Sequence, residues 1–452
     1  MYGTTPCGGS NGIGVVFKIT PSGMLKVLYN FDYVHGEVPY GGLTLGTGGN
    51  FYGTTIGGGA GFGTIFKITR SGSLTTLYSF TGGTDGNNPV APPIQGADEN
   101  FYGTSSGTAY KISPSGTFAV LGSIGAGSGP LLQGADENFY GTTLYSGRSG
   151  LGTVFKITPK GIVTIVYNFD GTHGQSPECL LTQSGNGNLY GTAAGGGSNN
   201  GGVVFKLTPL GAITVLHNFD PNDPLDGNTP PVGLVQATDG NFYGVASNGG
   251  TAGYGVIFKI TSTGTYSILH NFDSTNGALP FSTPMQHTNG KIYGLTFSGG
   301  TSGDGVVYSL DLGLGPFVRL VSISGNVGKT VEILGQGFTG TTSVSFNGAP
   351  ATFKVVSATY LTATVPSGAT TGFVTVVTPS GTLTSNKKFQ VKIIADGLAE
   401  VANNSQSNPK VGADKLTSSA FSDESQLSKL TNLSQKYKVA LQKSIKTQSE
   451  MF

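Results

Sequence analysis

Residues 50–72 read NFYGTTIGGGAGFGTIFKITRSG. A glycine-rich loop sits between two apolar runs, and the second run carries a lysine. Such a stretch is either a phosphate-cradling loop with its lysine or one unit of a repeated structure. Recurrence decides between them. The Tyr-Gly step returns at Tyr2, Tyr52, Tyr102, Tyr140, Tyr190, Tyr243 and Tyr293, and the second run returns with it. Its copies are VVFKIT at 15–20, TIFKIT at 64–69, TAYKIS at 108–113, TVFKIT at 153–158, VVFKLT at 203–208, VIFKIT at 256–261 and VVYSLD at 306–311. A phosphate loop is built once, not seven times.

Each repeat divides into four short strands. Strand a is a run such as APPIQG at 91–96, strand b is NFYGTT, strand c is TIFKIT, and strand d is LTTLYSF at 74–80. Asp98-Glu99-Asn100, or Asp239-Gly240-Asn241 in a later copy, suits a tight a–b hairpin. Thr20-Pro21-Ser22-Gly23 places Pro and Gly where a type I c–d turn favours them. The strands are rich in aromatic and β-branched residues without clean alternation, as expected of sheets buried on both faces. The expected fold is all-β. Residues 1–315 form a seven-bladed β-propeller of four-stranded antiparallel blades. A β-solenoid is the alternative, but repeats of about 50 residues with explicit hairpin turns argue against it.

In such blades the b–c and d–a connections share one face. Both are the long, variable ones here, while the short a–b and c–d turns lie opposite. The third copy is shortened only in its b–c loop, SSGT, and its d–a loop, GAGSGP. Scaffold is held while one face varies, which marks that face for binding. The chain enters at strand b, and near Asp311 it leaves the repeat without a strand d, so a weak seam is expected between the seventh and first blades. One reading is a mis-called gene start, with the missing residues holding both the lost strand and a secretion signal. Mass spectrometry of the natural N-terminus tests it.

Composition narrows the class further. Gly is 76 of 452 residues, without the collagen period, so it marks tight turns. A net charge of +1 and a pI near 7.7 give no footprint for nucleic acid or an anionic membrane. No apolar run approaches the ~20 residues needed to span a bilayer, and MYGTTPCGGSNG lacks the regions of a signal peptide. Cys7 and Cys179 fall in different repeats and read as two free thiols.

From Pro316 the texture changes to alternating strands, with Asn347-Gly348 as a hairpin signal between SVSF and ATFKVV. Residues 316–393 have the size of a small β-sandwich. Residues 394–452 read as a flexible linker followed by a partly helical tail. Ser422 is its N-cap, and Leu430, Leu433, Tyr437 and Leu441 form its apolar stripe.

The recurring motif YGTT–GG–G–GTVFKITPSG–LYNFDG–G–P over 1–315 resembles the GloVer tandem repeat of bacterial proteins. The segment 316–391 resembles the IPT/TIG module, an immunoglobulin-like fold, through G-KTVEI-G-GF-G–SVSFNG and VPSGATTG-VTV-TPSG. These resemblances imply an extracellular or cell-surface multidomain protein. They bring no established catalytic residues.

Motifs of catalytic type are weak. Gly103–Gly107 matches G-x-S-x-G, but no helix follows it. Gly325–Thr330 ends like a P-loop, yet Ile323 stands where the first glycine belongs. Lys18, Lys67, Lys111, Lys156, Lys206 and Lys259 share one strand-c position and are expected to cover aromatic rings with their stems. Asp32, Asp170, Asp220 and Asp273 follow the Asn-Phe step, where pairing or a turn explains them. His217 and His270 take a tyrosine position in strand d and read as packing residues. His35 and His173 lie in equivalent d–a loops, and His287 stands alone.

The remaining candidates are oxygen-rich d–a loops: Asp85, Asn87 and Asn88 in one, and Asp220, Asn222, Asp223, Asp226 and Asn228 in another. Calcium is the cation such ligands would take, and ordinary Asx turns are the simpler account. Two functions follow. The favoured one is a non-enzymatic binding or structural protein whose loop face recognises carbohydrate or a surface protein. The other is a propeller enzyme, a lyase or glycoside hydrolase, which would need acids or histidines converging from several blades.

Overall fold

A computed structural model describes residues 1–392 apart from Ser128 and Glu178. The helix expected from Ser422 lies outside the described residues. Met1–Lys392 is one compact all-β unit. Its repeat region is a succession of antiparallel, propeller-like sheets. The second sheet shows the plan, with Thr44–Leu45, Phe51–Thr55, Thr64–Ile68 and Leu74–Ser79 as strands a to d in that spatial order. Strand a is only two residues long in most copies, shorter than the six-residue run read from the sequence. In the second to sixth sheets strands b and c are largely buried, and strand d is more exposed.

The repeat residues are explained by contacts between sheets. In the Phe-Tyr-Gly step the tyrosine of one sheet stacks on the phenylalanine of the next. Tyr52–Phe101, Tyr102–Phe139 and Tyr190–Phe242 have ring centroids 3.8, 4.0 and 4.0 Å apart. The glycine is required for space. At Gly141 an added Cβ would lie 2.6 Å from the Phe155 ring and 2.9 Å from Leu131. The strand-c ring therefore lies directly over the strand-b backbone. The threonine that follows clasps the neighbouring sheet through buried hydrogen bonds, with Thr54 Oγ1 donating to the Ala91 carbonyl and Thr104 Oγ1 to Gly129. The strand-d phenylalanine closes the belt: Phe31 meets Phe66 edge-on at 5.3 Å, and Phe169 meets Phe205 at 5.4 Å.

A second latch runs along the a–b turns. The strand-a glutamine of one sheet reaches back to the turn of the sheet before it. Gln95 Oε1 accepts from the Thr47 N–H while its Nε2 donates to Thr47 Oγ1, and Gln286 repeats both bonds on Thr238. Among the described residues the first sheet has three strands, without a strand a and so without such a glutamine. The bond owed to Thr288 of the seventh sheet comes instead from Gln336, whose Nε2 donates to Thr288 Oγ1 at 2.8 Å.

Gln336 belongs to the C-terminal module, a pair of four-stranded sheets around Val331, Ile333, Val344, Phe346, Leu361, Val374, Val376 and Phe389. Its strands alternate buried and exposed, as expected of a sandwich. The expected hairpin is present, with Asn347 and Gly348 at φ 47° and 88°.

The module sits on the a–b turns of several repeat sheets. The Gly48 N–H donates to Glu332, Lys329 pairs with Glu99 at 3.1 Å, and Lys392 pairs with Glu137 at 2.8 Å. Positions 49, 99, 137, 187, 240 and 290 are equivalent in the turn and all left-handed. Four are glycine and two are Glu99 and Glu137, at φ 69° and 64°. A side chain there costs about 1–2 kcal/mol. The two places that bear it are the two that hold the module's lysines.

Candidate functional site

With the a–b turns engaged by the module, the opposite end of the sheets carries the long connections. Backbone bridges knit the d–a and b–c loops there, as Glu37 with Gly57 and Gln175 with Gly195. The strand-d asparagine anchors them as well: Asn30, Asn168, Asn218 and Asn271 accept from the N–H groups of Ser10, Arg148, Ser198 and Thr251.

This face holds the exposed aromatic residues. Among the described residues of the repeat region, the exposed rings are Tyr33, Tyr40, Phe62, Tyr145, Tyr254 and Phe281, on d–a or b–c connections, and Phe297, at the b–c end of the seventh strand b, Ile292–Ser298. Tyr145 and Phe297 are each 65% exposed. Tyr40 and Phe281 occupy one equivalent position, at the entry to strand a, each following a proline. Pro39 and Pro280 lie where a Cβ on Gly14 or Gly255 would fall, so both prolines are wedged against a neighbouring loop.

The oxygen-rich loops turn their carboxylates inward. Asp85 is buried and accepts from the Tyr78 hydroxyl, the Thr81 N–H and hydroxyl, and the Gly83 N–H. Asp226 is buried and accepts from His217 Nε2 and from the N–H groups of Asp220 and Gly227. Asp220 and Asp223 each cap a turn, accepting from the Asn222 and Leu225 N–H groups. The Asn87 carbonyl accepts from Ser106, Asn88 donates to the Ile56 carbonyl, and the Asn228 side chain accepts from Thr229. The two loops lead into the third and sixth sheets, so their ligands do not meet. Among the described residues no group of three or more His, Cys, Asp or Glu is placed to hold a metal ion.

His35 and His173 pair with acids inside their own loops. His35 Nδ1 lies 2.8 Å from Asp32, and His173 Nδ1 lies 2.8 Å from Asp170. His217 stacks on Tyr266 at 3.8 Å. The strand-c lysines register opposite the strand-b tyrosines, and Lys111 lies over the Tyr102 ring while pairing with Asp98 at 2.8 Å. Ser105 of the G-x-S-x-G match is buried and donates to the Asp85 carbonyl. Cys7 is exposed, and Cys179 is buried with its Sγ accepting from the Thr192 N–H.

Burial raises the pKa of Asp85 and Asp226, but the hydrogen bonds they accept outweigh it, so both end below the ordinary value of 3.8. Asp32, Asp98, Asp136 and Asp170 shift the same way. A depressed folded-state pKa gives stability that is present above the unfolded value and lost as pH falls through the folded one. Thermal scans should therefore be level from pH 7 to about 5 and fall steeply below about pH 4. The Asp85→Asn variant should lose less across that window. An unchanged transition down to pH 2.5 would remove any role for these carboxylates in stability.

Residues 1–109 and 104–308 match the Gloeobacter/Verrucomicrobia repeat, and residues 316–391 match the IPT/TIG domain. No curated protein matches the chain. Among solved structures it is similar to the streptogramin B lyase structure, at 19% identity over 60% of this chain and 83% of that one, with a TM-score of 0.43. A candidate 6-phosphogluconolactonase from Bacteroides uniformis follows at 17% identity, 70% and 92% coverage and a TM-score of 0.48. The extracellular domain of a candidate one-component system from B. thetaiotaomicron shares 11% identity over 85% of this chain and 55% of that one, with a TM-score of 0.46. Likenesses of this depth carry no chemistry. Among the described residues no helix is long and apolar enough to cross a membrane.

Proposed function

This chain belongs to the Gloeobacter/Verrucomicrobia repeat family, and we propose that it is a non-enzymatic, extracellular or cell-surface binding protein. In this reading the seven repeat sheets close as a seven-bladed propeller over 1–315, and its loop face recognises carbohydrate. The module at 316–393 seats on the opposite end. The observation that carries the proposal is the gathering of the repeat region's exposed aromatic rings on that one face. An aromatic ring offers an apolar face to the C–H groups of a sugar, and tyrosine adds a hydroxyl for hydrogen bonding. Tyrosine serves here in a chain with no tryptophan.

Co-sedimentation of the full chain with insoluble polysaccharides and cell envelopes tests the reading. Wild type should pellet with at least one polysaccharide, and Tyr40→Ala with Phe281→Ala should weaken that affinity about tenfold or more, the equivalent of ~1.4 kcal/mol. Binding to envelopes only after protein is left on them would point to a surface-protein ligand. Retention unaffected by the double substitution would sink the aromatic face as the site. Chelator in a parallel tube asks whether calcium at Asp220, Asn222 and Asp223 contributes.

One observation favours the enzymatic alternative, a lyase or hydrolase acting on an extracellular carbohydrate. His217 and Asp226 form a largely shielded acid–base pair at 3.1 Å. Soluble sugar released by wild type but not by His217→Ala would establish it.

A further inference from the structure

Among the described residues the seventh sheet ends at strand c, Val307–Leu310, where the complete sheets continue to a strand d. The chain does not turn back after Leu310. Leu312 and Leu314 instead pack against Ala237, Tyr243 and Ile292. The Val306 carbonyl accepts from the Thr296 N–H on the strand-b side. Since N–H and C=O groups alternate sides along a strand, those of Val307 and Ser309 face the uncovered edge.

The missing cover can be read from burial. Val307 is 38% exposed, whereas its equivalents Val16, Ile65, Val154 and Val204 are all at 0%. A cavity of about 190 Å³ opens beside this edge, lined by Ile257, His270, Phe272, Tyr308 and Leu310.

Neighbouring sheets show what belongs there. Tyr78 stacks at 3.8 Å on Phe118, the first residue of the next sheet's strand d, and His217 stacks at 3.8 Å on Tyr266 in the same way. His270 is the equivalent ring of the sixth sheet, and the strand that would supply its stacking partner is the one the seventh sheet lacks.

We propose that the outer edge of Val307–Leu310 and its cavity form a strand-accepting site for an extended peptide of strand-d type. The peptide has an aromatic first residue and an aromatic/His-Asn-Phe-Asp end, as in Tyr266–Asp273. The ladder groups of Val307 and Ser309 supply backbone hydrogen bonds, and the cavity takes the first ring against His270. This is binding by strand addition, with main-chain bonds for affinity and alternate pockets for specificity. The first sheet's missing latch is already filled by Gln336, so strand d is the part of the seam left open.

The experiment is fluorescence polarisation of a labelled peptide, YSILHNFD, against the full chain. Saturable binding is expected, with at least a tenfold loss for the peptide whose first Tyr is Ala and for a scrambled peptide. Ser309→Pro removes an outward N–H and should reduce affinity at least tenfold. If that variant does not fold, His270→Ala, which leaves the strand intact, should show the same loss. Equal binding by scrambled peptide, no saturation up to the solubility limit, or indifference to His270→Ala each overturns the proposal. Polysaccharide co-sedimentation of the same preparation reads the loop face separately, so failure of one does not imply failure of the other.

Discussion

Phe205→Ala should destabilise the protein by about 3–5 kcal/mol, the range for removing a large, fully buried aromatic side chain. Phe205 has no exposed surface. It sits in a cluster with Tyr140, Val154, Phe169, Cys179, Leu181 and Leu207, drawn from consecutive sheets. Its removal therefore loosens the packing of two sheets at once. Phe169 is held edge-on by Tyr167, and the Cys179 carbonyl by the Thr142 clasp, so these neighbours have little freedom to collapse into the space. Denaturant unfolding followed by tyrosine fluorescence gives the loss. A value under about 1 kcal/mol would mean that the ring belt is not what joins the sheets.

Gly191→Ala should be damaging for the opposite reason. A Cβ at this position would lie 2.6 Å from the Phe205 ring, 2.9 Å from Cys179 Sγ and 2.9 Å from Leu181. Overpacking of this kind costs about 1–3 kcal/mol, and three buried neighbours at once place the expectation at the upper end. The two substitutions should also be coupled. Once Phe205 is alanine, the methyl of Ala at 191 has room, so the double variant should be less destabilised than the sum by about 1–3 kcal/mol. Strict additivity would show that Cys179 and Leu181, rather than the ring above it, exclude a side chain at this position.

This pair shows how much of the fold was legible in the chain. The Tyr-Gly step and the Phe-Lys run could be recognised as structural because they recur, and strands b and c form where those runs lie. Why glycine follows tyrosine was not legible. The reason is a contact between strands about 14 residues apart (191 and 205), and periodicity cannot report a contact. The strand-a length was overestimated for a similar reason: APPIQG has strand composition, yet only Ile94–Gln95 pairs.

The candidate site divides in the same manner. The variable b–c and d–a loops were identifiable from their lengths, and the structure places both at one end of the sheets. The oxygen-rich residues 85–88 and 220–228 looked ligand-like because residue type is visible and hydrogen bonding is not. In the fold Asp85 and Asp226 spend their oxygens on their own loops. Tyr33, Tyr40, Tyr145, Phe281 and Phe297 give no periodic signal, because most repeats carry no aromatic residue at these positions. A count of aromatic residues in the variable loops alone would have found them.

By itself the sequence determined an all-β repeat, its strand order, its turns and the immunoglobulin-like module after it, because these depend on local composition and on period. Only the tertiary structure decided where that module sits. Its seat uses Gln336 on Thr288, Lys329 on Glu99 and Lys392 on Glu137, pairs separated by 48 to 255 residues. Left-handed glutamates in two of six equivalent turns become intelligible only once their lysine partners are in view. Local preference would have chosen glycine at both positions, and a long-range ion pair chose otherwise.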